Sequence, residues 1–201
     1  QCTIWRAKKE CPHQFYSKYK IEKLPAKNLS KGDYLLYPIN QSVRDLTTID
    51  LGKYYTRKLD NRGARPKEIP TIIKINEKFL RLLGYYIAEG SSRRDLIKFT
   101  LGSHEELFAK EIKDLIKEIF KIKATISFKH RDEGRIDIIA YNSKLANIFK
   151  NLCGENAPNK YIPFELQNLL VEKQKILLDA ICRGDGWTGK WEDKWDFRAV
   201  D

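Results

Sequence analysis

Leu82-Leu83-Gly84-Tyr85-Tyr86-Ile87-Ala88-Glu89-Gly90 and, 96 residues later, Leu178-Asp179-Ala180-Ile181-Cys182-Arg183-Gly184-Asp185-Gly186 are two versions of one pattern. Each ends a helix on a small residue, a carboxylate and a glycine. Each also carries two small residues four apart, Gly84 and Ala88 in the first and Ala180 and Gly184 in the second. That spacing puts both small residues on one helix face. Without side chains between them, two such helices can approach until their backbones nearly touch. Parallel packing on these faces brings Glu89 and Asp185 together at the helix ends. There the two negative charges repel each other and face the negative pole of the helix dipole. A cation must compensate. Oxygen donors (the two carboxylates with the backbone carbonyls of Ala88 and Gly184) select Mg²⁺ or another hard divalent ion. One acid–glycine helix end is an ordinary cap; two matched ends form a site.

Outward from the first motif, apolar recurrence at Leu80, Leu83 and Ile87 predicts a helix over 77–89, with Gly90 as its C-terminal cap. Residues 96–101 alternate, setting Leu96, Lys98 and Thr100 against Ile97, Phe99 and Leu101. Ser103 with Glu106 three residues on forms a capping box. The helix it opens carries an apolar stripe of Leu107, Phe108, Ile112, Leu115, Ile116, Ile119 and Phe120. Residues 124–129 and 135–141 alternate again, and Ser143 caps a helix that stops at Gly154. Strands with one apolar face and one polar or basic face make a sheet covered by helices on one side and open to a partner on the other.

The chain has 201 residues with Lys+Arg 38 against Asp+Glu 27, a net charge of +11 and a pI near 9.4. The partner expected of such a charge is an anion, nucleic acid first. A hydrophobic content of 42% argues against disorder, and no run approaches the length of a membrane span. The four cysteines are irregularly spaced, which argues against a disulfide framework and for reduced thiols inside a cell. Cys2 with Cys11-Pro12-His13 offers half a zinc site, but no second Cys/His pair follows nearby. A divalent metal on paired carboxylates, facing a basic sheet, points to phosphodiester hydrolysis.

These residues resemble the LAGLIDADG (dodecapeptide, DOD-type) homing endonucleases in the form embedded in inteins. The first copy matches at Leu82, Gly84, Ala88, Glu89 and Gly90, the second at Leu178, Asp185 and Gly186. Ala180 stands where the motif prefers Gly, and Gly184 where it prefers Ala; both keep the contact small. The resemblance implies an α+β fold with helices packed on an antiparallel saddle sheet. It makes Glu89 and Asp185 the metal-binding catalytic acids, one from each repeat. Asn159-Lys160-Tyr161-Ile162-Pro163 looks like the Lys-x-Ile-Pro element of the intein endonucleases, which makes Lys160 a third catalytic residue. In that family the sheet straddles DNA. The positions that fit here are Lys98, Thr100, Lys129, Arg131 and Arg135, with Arg93 and Arg94 in the loop after the first motif.

Ala26-Lys27-Asn28-Leu29-Ser30-Lys31-Gly32-Asp33-Tyr34-Leu35 resembles a segment of the intein splicing (Hint) domain, where a strand, a Gly turn and a second strand are expected. The resulting organisation is a small all-β splicing-domain remnant over 1–40, a connector over 41–75, a first repeat over 76–170 and the truncated start of a second over 171–201. With no Met, no splice-junction nucleophile at residue 1 and no terminal His-Asn, the chain reads as an internal fragment. Its parent is expected to be a site-specific, Mg²⁺-dependent endonuclease of double-stranded DNA that also undergoes protein splicing. It would be a monomeric pseudo-dimer when complete, in the cytoplasm of a prokaryotic or archaeal host, with no membrane partner. Two alternatives remain open: a nucleic-acid-binding maturase or regulator on the same scaffold, and an intein whose nuclease has decayed.

Overall fold

The computed structural model describes residues 3–9, 19–36, 44–56, 66–129 and 134–185. They form two compact units, Gln1–Ser42 and Val43–Asp201. The first is a three-stranded antiparallel sheet, β1 (Thr3–Lys9), β2 (Tyr19–Pro25) and β3 (Tyr34–Leu35), in the order β2-β1-β3. Arg6, on the central strand, ion-pairs with Glu22 and lies 2.9 Å from Asp33. The Asp33 carboxylate also accepts from the Ser30 amide at 2.9 Å, next to a turn that Gly32 makes at φ +96°. Arg6 thus ties the Gly-Asp-Tyr segment to the sheet.

The second unit has an α+β architecture. It opens with a two-stranded antiparallel pair, β4 (Thr48–Asp50) and β5 (Ile72–Lys74), followed by α1 (Glu77–Glu89) and β6 (Gly90–Ser92). β7 (Leu96–Gly102), α2 (Glu106–Phe120), β8 (Ala124–Lys129), β9 (Arg135–Tyr141), α3 (Ser143–Cys153) and α4 (Val171–Asp185) complete it. The main sheet is antiparallel throughout, in the order β6-β7-β9-β8. Ile97, Phe99 and Leu101 of β7 and Ile136, Ile138 and Ala140 of β9 are buried with residues of α1, α2 and α3. Tyr86 joins these layers, its ring edge-on to Phe149 at 4.8 Å and to Phe99 at 6.1 Å. Edge-to-face pairs at such distances add to the stabilisation from buried area.

The structure departs from the sequence reading in several places. Residues 44–56 and 66–75, expected to be a connector, send Ile49, Leu51, Ile69, Ile73 and Ile75 into the core of the second unit. Ile49 and Ile73 come from the three-residue strands, Leu51 from a 3₁₀ turn, and Ile69 and Ile75 from irregular segments, so no periodicity marks them. Gly90 is extended (φ −79°, ψ 154°) and begins β6, a strand the alternation did not reveal. A Cβ at Gly90 would stand 2.4–2.6 Å from Tyr86 atoms, so glycine is needed for the immediate helix-to-strand change.

The capping box at Ser103 does not form. Ser103 donates its amide to Gly134 O in the β8–β9 hairpin, the Glu105 carboxylate takes the Gly102 amide, and α2 begins at Glu106. Leu107 of the expected stripe is exposed. The cap of α3 is Asn142 rather than Ser143, through the Leu145 amide at 2.9 Å. No helix among the described residues is long and apolar enough to cross a membrane.

Candidate active site and nucleic-acid interface

α1 and α4 meet through their small residues. A Cβ placed on Gly84 would lie 2.5 Å from Ala180 Cβ and 2.8 Å from Leu177 O. One placed on Gly184 would lie 2.4 Å from Ala88 Cβ and 3.1 Å from Glu89 Cγ. Position 84 therefore faces 180, and position 88 faces 184. The pairing advances in the same direction on both helices, so they run parallel with an offset of 96 residues. The same offset sets residue 89 level with residue 185. The side chain of Asp185 lies outside the described residues; its backbone closes α4 beside Glu89, which is half-buried.

Lys160 arrives at this end from elsewhere in the chain. α3 stops at Gly154, whose φ of +84° and lack of a Cβ let Asn159 O pack against it, and Tyr161 N donates back to Cys153 O at 3.0 Å. This folded-back loop carries Lys160 Nζ to Ala88 O, to which it donates at 3.1 Å, while standing 5.8 Å from the Tyr86 ring. The last turn of α1 contains no basic residue of its own, so Lys160 supplies the cation that the negative helix pole favours. Ala88 O, expected to face the metal, accepts from this ammonium.

Glu89, the C-terminal backbone of α4 and Lys160 thus lie at the same helix end. Among the described residues no three or more His, Cys, Asp or Glu side chains are grouped to hold a metal. Oxygen donors at the Glu89–Asp185 position suit Mg²⁺ nevertheless. That ion binds through one or two carboxylates and substrate phosphates, keeping waters, and does not require a protein cage.

The second group of expected residues lies on the sheet face opposite the helices. Across β7, β9 and β8, Thr100, Asp137 and Ser127 stand in one row. Asp137 is fully buried there: Lys98 Nζ is 3.0 Å from its Oδ2, Thr100 donates to Oδ1 at 3.2 Å, and Arg135 Nε lies 3.5 Å from Oδ1. Three expected DNA contacts, Lys98, Thr100 and Arg135, therefore converge on one carboxylate. Alternation could place Asp137 on that face; the cross-strand register that buries it is a non-local fact. Arg93 and Arg94 are exposed in the turn between β6 and β7. Lys129 pairs with Arg135 in backbone register, but its side chain lies outside the described residues, as does all of Arg131. Cys2, Cys11 and His13 also lie outside them.

Cys153 and Cys182 are buried free thiols whose pKa values are raised chiefly by burial. Neither is poised as a nucleophile, since the thiolate is the reactive form.

No family profile matches the chain. It is 37% identical over 174 residues to Uncharacterized protein MJ0043 of Methanocaldococcus jannaschii, covering 85% of this chain and 22% of that protein. It is 32% identical over 174 residues to ATP-dependent DNA helicase Hel308 of Thermococcus kodakarensis, covering 83% of this chain and 15% of that protein. Transcription initiation factor IIB of Methanocaldococcus jannaschii is 32% identical over 121 residues, 59% of this chain and 17% of that protein. The chain spans at most 22% of the length of these relatives.

Proposed function

We propose that this chain is part of an intein-borne LAGLIDADG endonuclease that hydrolyses phosphodiester bonds of double-stranded DNA at a specific site. The observation that carries the reading is the parallel contact of α1 and α4 through Gly84, Ala88, Ala180 and Gly184, which sets positions 89 and 185 side by side. Close helix contact alone needs no acid at either end. Two carboxylates at the negative poles of two helices are a cost that a metal-dependent site explains. A hard divalent cation, when bound, supplies counter-charge to the carboxylates and to the scissile phosphate. Glu89 and Asp185 would hold it, and the Lys160 ammonium, at the same helix end, would balance charge on the phosphate.

The proposed Hint remnant is the first unit, with its Arg6–Asp33 closure. Support for an inserted element comes from the relatives. One stretch of sequence is similar to a minor part of a DNA helicase and to a minor part of a transcription initiation factor. A module carried within both would give such partial similarity to two proteins of different name.

The test uses the intact protein that carries this chain and a supercoiled plasmid bearing the uninterrupted host coding sequence. Mg²⁺-dependent linearisation at one site, lost in Glu89→Gln and in Asp185→Asn while gel-shift binding persists, is the expected result. Binding without cleavage by the wild type would instead support the maturase or regulator reading, or a decayed nuclease. Cleavage untouched by both substitutions would overturn the site.

A further inference from the structure

We infer that Asp137 is a positioning residue that makes Arg135, with Lys98 beside it, a reader of guanine base edges, leaving backbone phosphates to the arginines at the β6–β7 turn. This rests on the DNA-binding reading of the sheet and goes beyond it by separating two kinds of contact on that face.

A carboxylate in the middle of a basic face is unfavourable for gripping a polyanion. Lys98 is ion-paired at 3.0 Å and its side chain is only 21% exposed, so part of its charge is already neutralised within the protein. Phosphate binding draws its affinity from cations that release counterions, and a committed lysine contributes little of that. Asp137 costs such affinity, and its burial requires compensation by the three groups around it.

What Asp137 offers in return is orientation. Arg135 meets it through Nε at 3.5 Å, an ion pair without an aligned hydrogen bond, and its side chain is 39% exposed. Contact on the Nε side leaves the two Nη nitrogens as a planar fork, and a guanidinium fork matches O6 and N7 of guanine bidentately. From the neighbouring strand, Thr100 donates to the same Oδ1 that faces Arg135 and Lys98 holds Oδ2, so the buttress is anchored in the sheet. Arg93 and Arg94, exposed in a turn, have the character of phosphate contacts, which fix register without reading sequence.

The experiment is selection from a randomised duplex pool by the intact protein and its variants, followed by sequencing and by salt titration on the selected duplex. The wild type should enrich a motif containing a guanine preferred by roughly 5- to 150-fold, the range of a bidentate contact. Arg135→Lys and Asp137→Asn should each erase that one preference while the rest of the motif stays. Asp137→Asn, by releasing a cation, should also steepen the salt dependence of log K by about one unit, whereas Arg93→Ala and Arg94→Ala should flatten it and weaken all sequences alike. Arg135→Lys keeps the charge beside Asp137, so its result stands even if Asp137→Asn is unstable by circular dichroism. An intact motif with uniformly weakened binding in both variants would overturn the inference and leave the DNA reading standing. A wild type that binds no duplex would overturn both.

Discussion

Gly84→Ala adds a single methyl group to α1, and the geometry of the helix seam gives it opposing effects. In an unpacked helix the change would stabilise by about 1 kcal/mol, because alanine is the better helix former. Here the new carbon would stand 2.5 Å from Ala180 Cβ, 2.8 Å from Leu177 O and 3.2 Å from Ile181 N. Carbon atoms rest at about 3.5–4.0 Å, so α1 and α4 must separate by roughly 1 Å, a gap that forfeits about a quarter to a half of each affected contact. Two of the three neighbours are backbone atoms and cannot rotate away. Overpacking costs about 1–3 kcal/mol, and immobile neighbours put this case near the upper figure. After the propensity gain, a net loss of about 2 kcal/mol is expected.

Urea denaturation of wild type, Gly84→Ala, Ala180→Gly and the double variant measures it. Moving the methyl group from one helix to the other relieves the 2.5 Å contact, so the double variant should be more stable than the sum of the single losses by about 1 kcal/mol. The 1 Å separation should also reduce DNA cleavage by roughly 100-fold, because it displaces residue 89 from residue 185. A Gly84→Ala protein as stable as the wild type, or single effects that simply add, would refute the close parallel seam on which the active-site reading stands.

Lys160→Gln keeps a donor for Ala88 O but removes the charge. Cleavage should fall by about 10²-fold or more, while the melting curve shifts by no more than the loss of one charged hydrogen bond, about 1.5–3 kcal/mol; equal rates would remove Lys160 from the chemistry. Burial pushes the Tyr86 hydroxyl from 10.0 up to about 12, so the fold favours its protonated form. The stability this contributes is complete below pH 10 and is lost as the pH rises from 10 through 12, about 2–3 kcal/mol in all. Tyr86→Phe should flatten that alkaline decline in pH-dependent unfolding, and an unchanged slope would contradict the assignment. Asn142 accepts from the Leu145 amide and donates to Lys67 O at 2.8 Å, so Asn142→Ala should destabilise by about 2 kcal/mol. Asn142→Asp should recover the cap portion alone, and equal losses in the two variants would show that the cap is not the source.

What the sequence determined by itself is local. The bounds of α1, the alternation of β7, β8 and β9, and the end of α3 at Gly154 follow from periodicity and backbone preference within a few residues. The pairing of positions 84 with 180 and 88 with 184 was also legible, because two small residues four apart define a face and two such faces define a register. Only the tertiary structure decided where α2 and α3 begin, since Gly134 O takes the Ser103 amide and Lys67 O holds the Asn142 side chain that caps α3. It alone delivered Lys160 to the end of α1, across a loop whose path depends on Gly154. It alone buried Asp137 under Lys98 and Arg135, because cross-strand neighbours are set by sheet register, and a strand's own alternation names its faces without naming its partners.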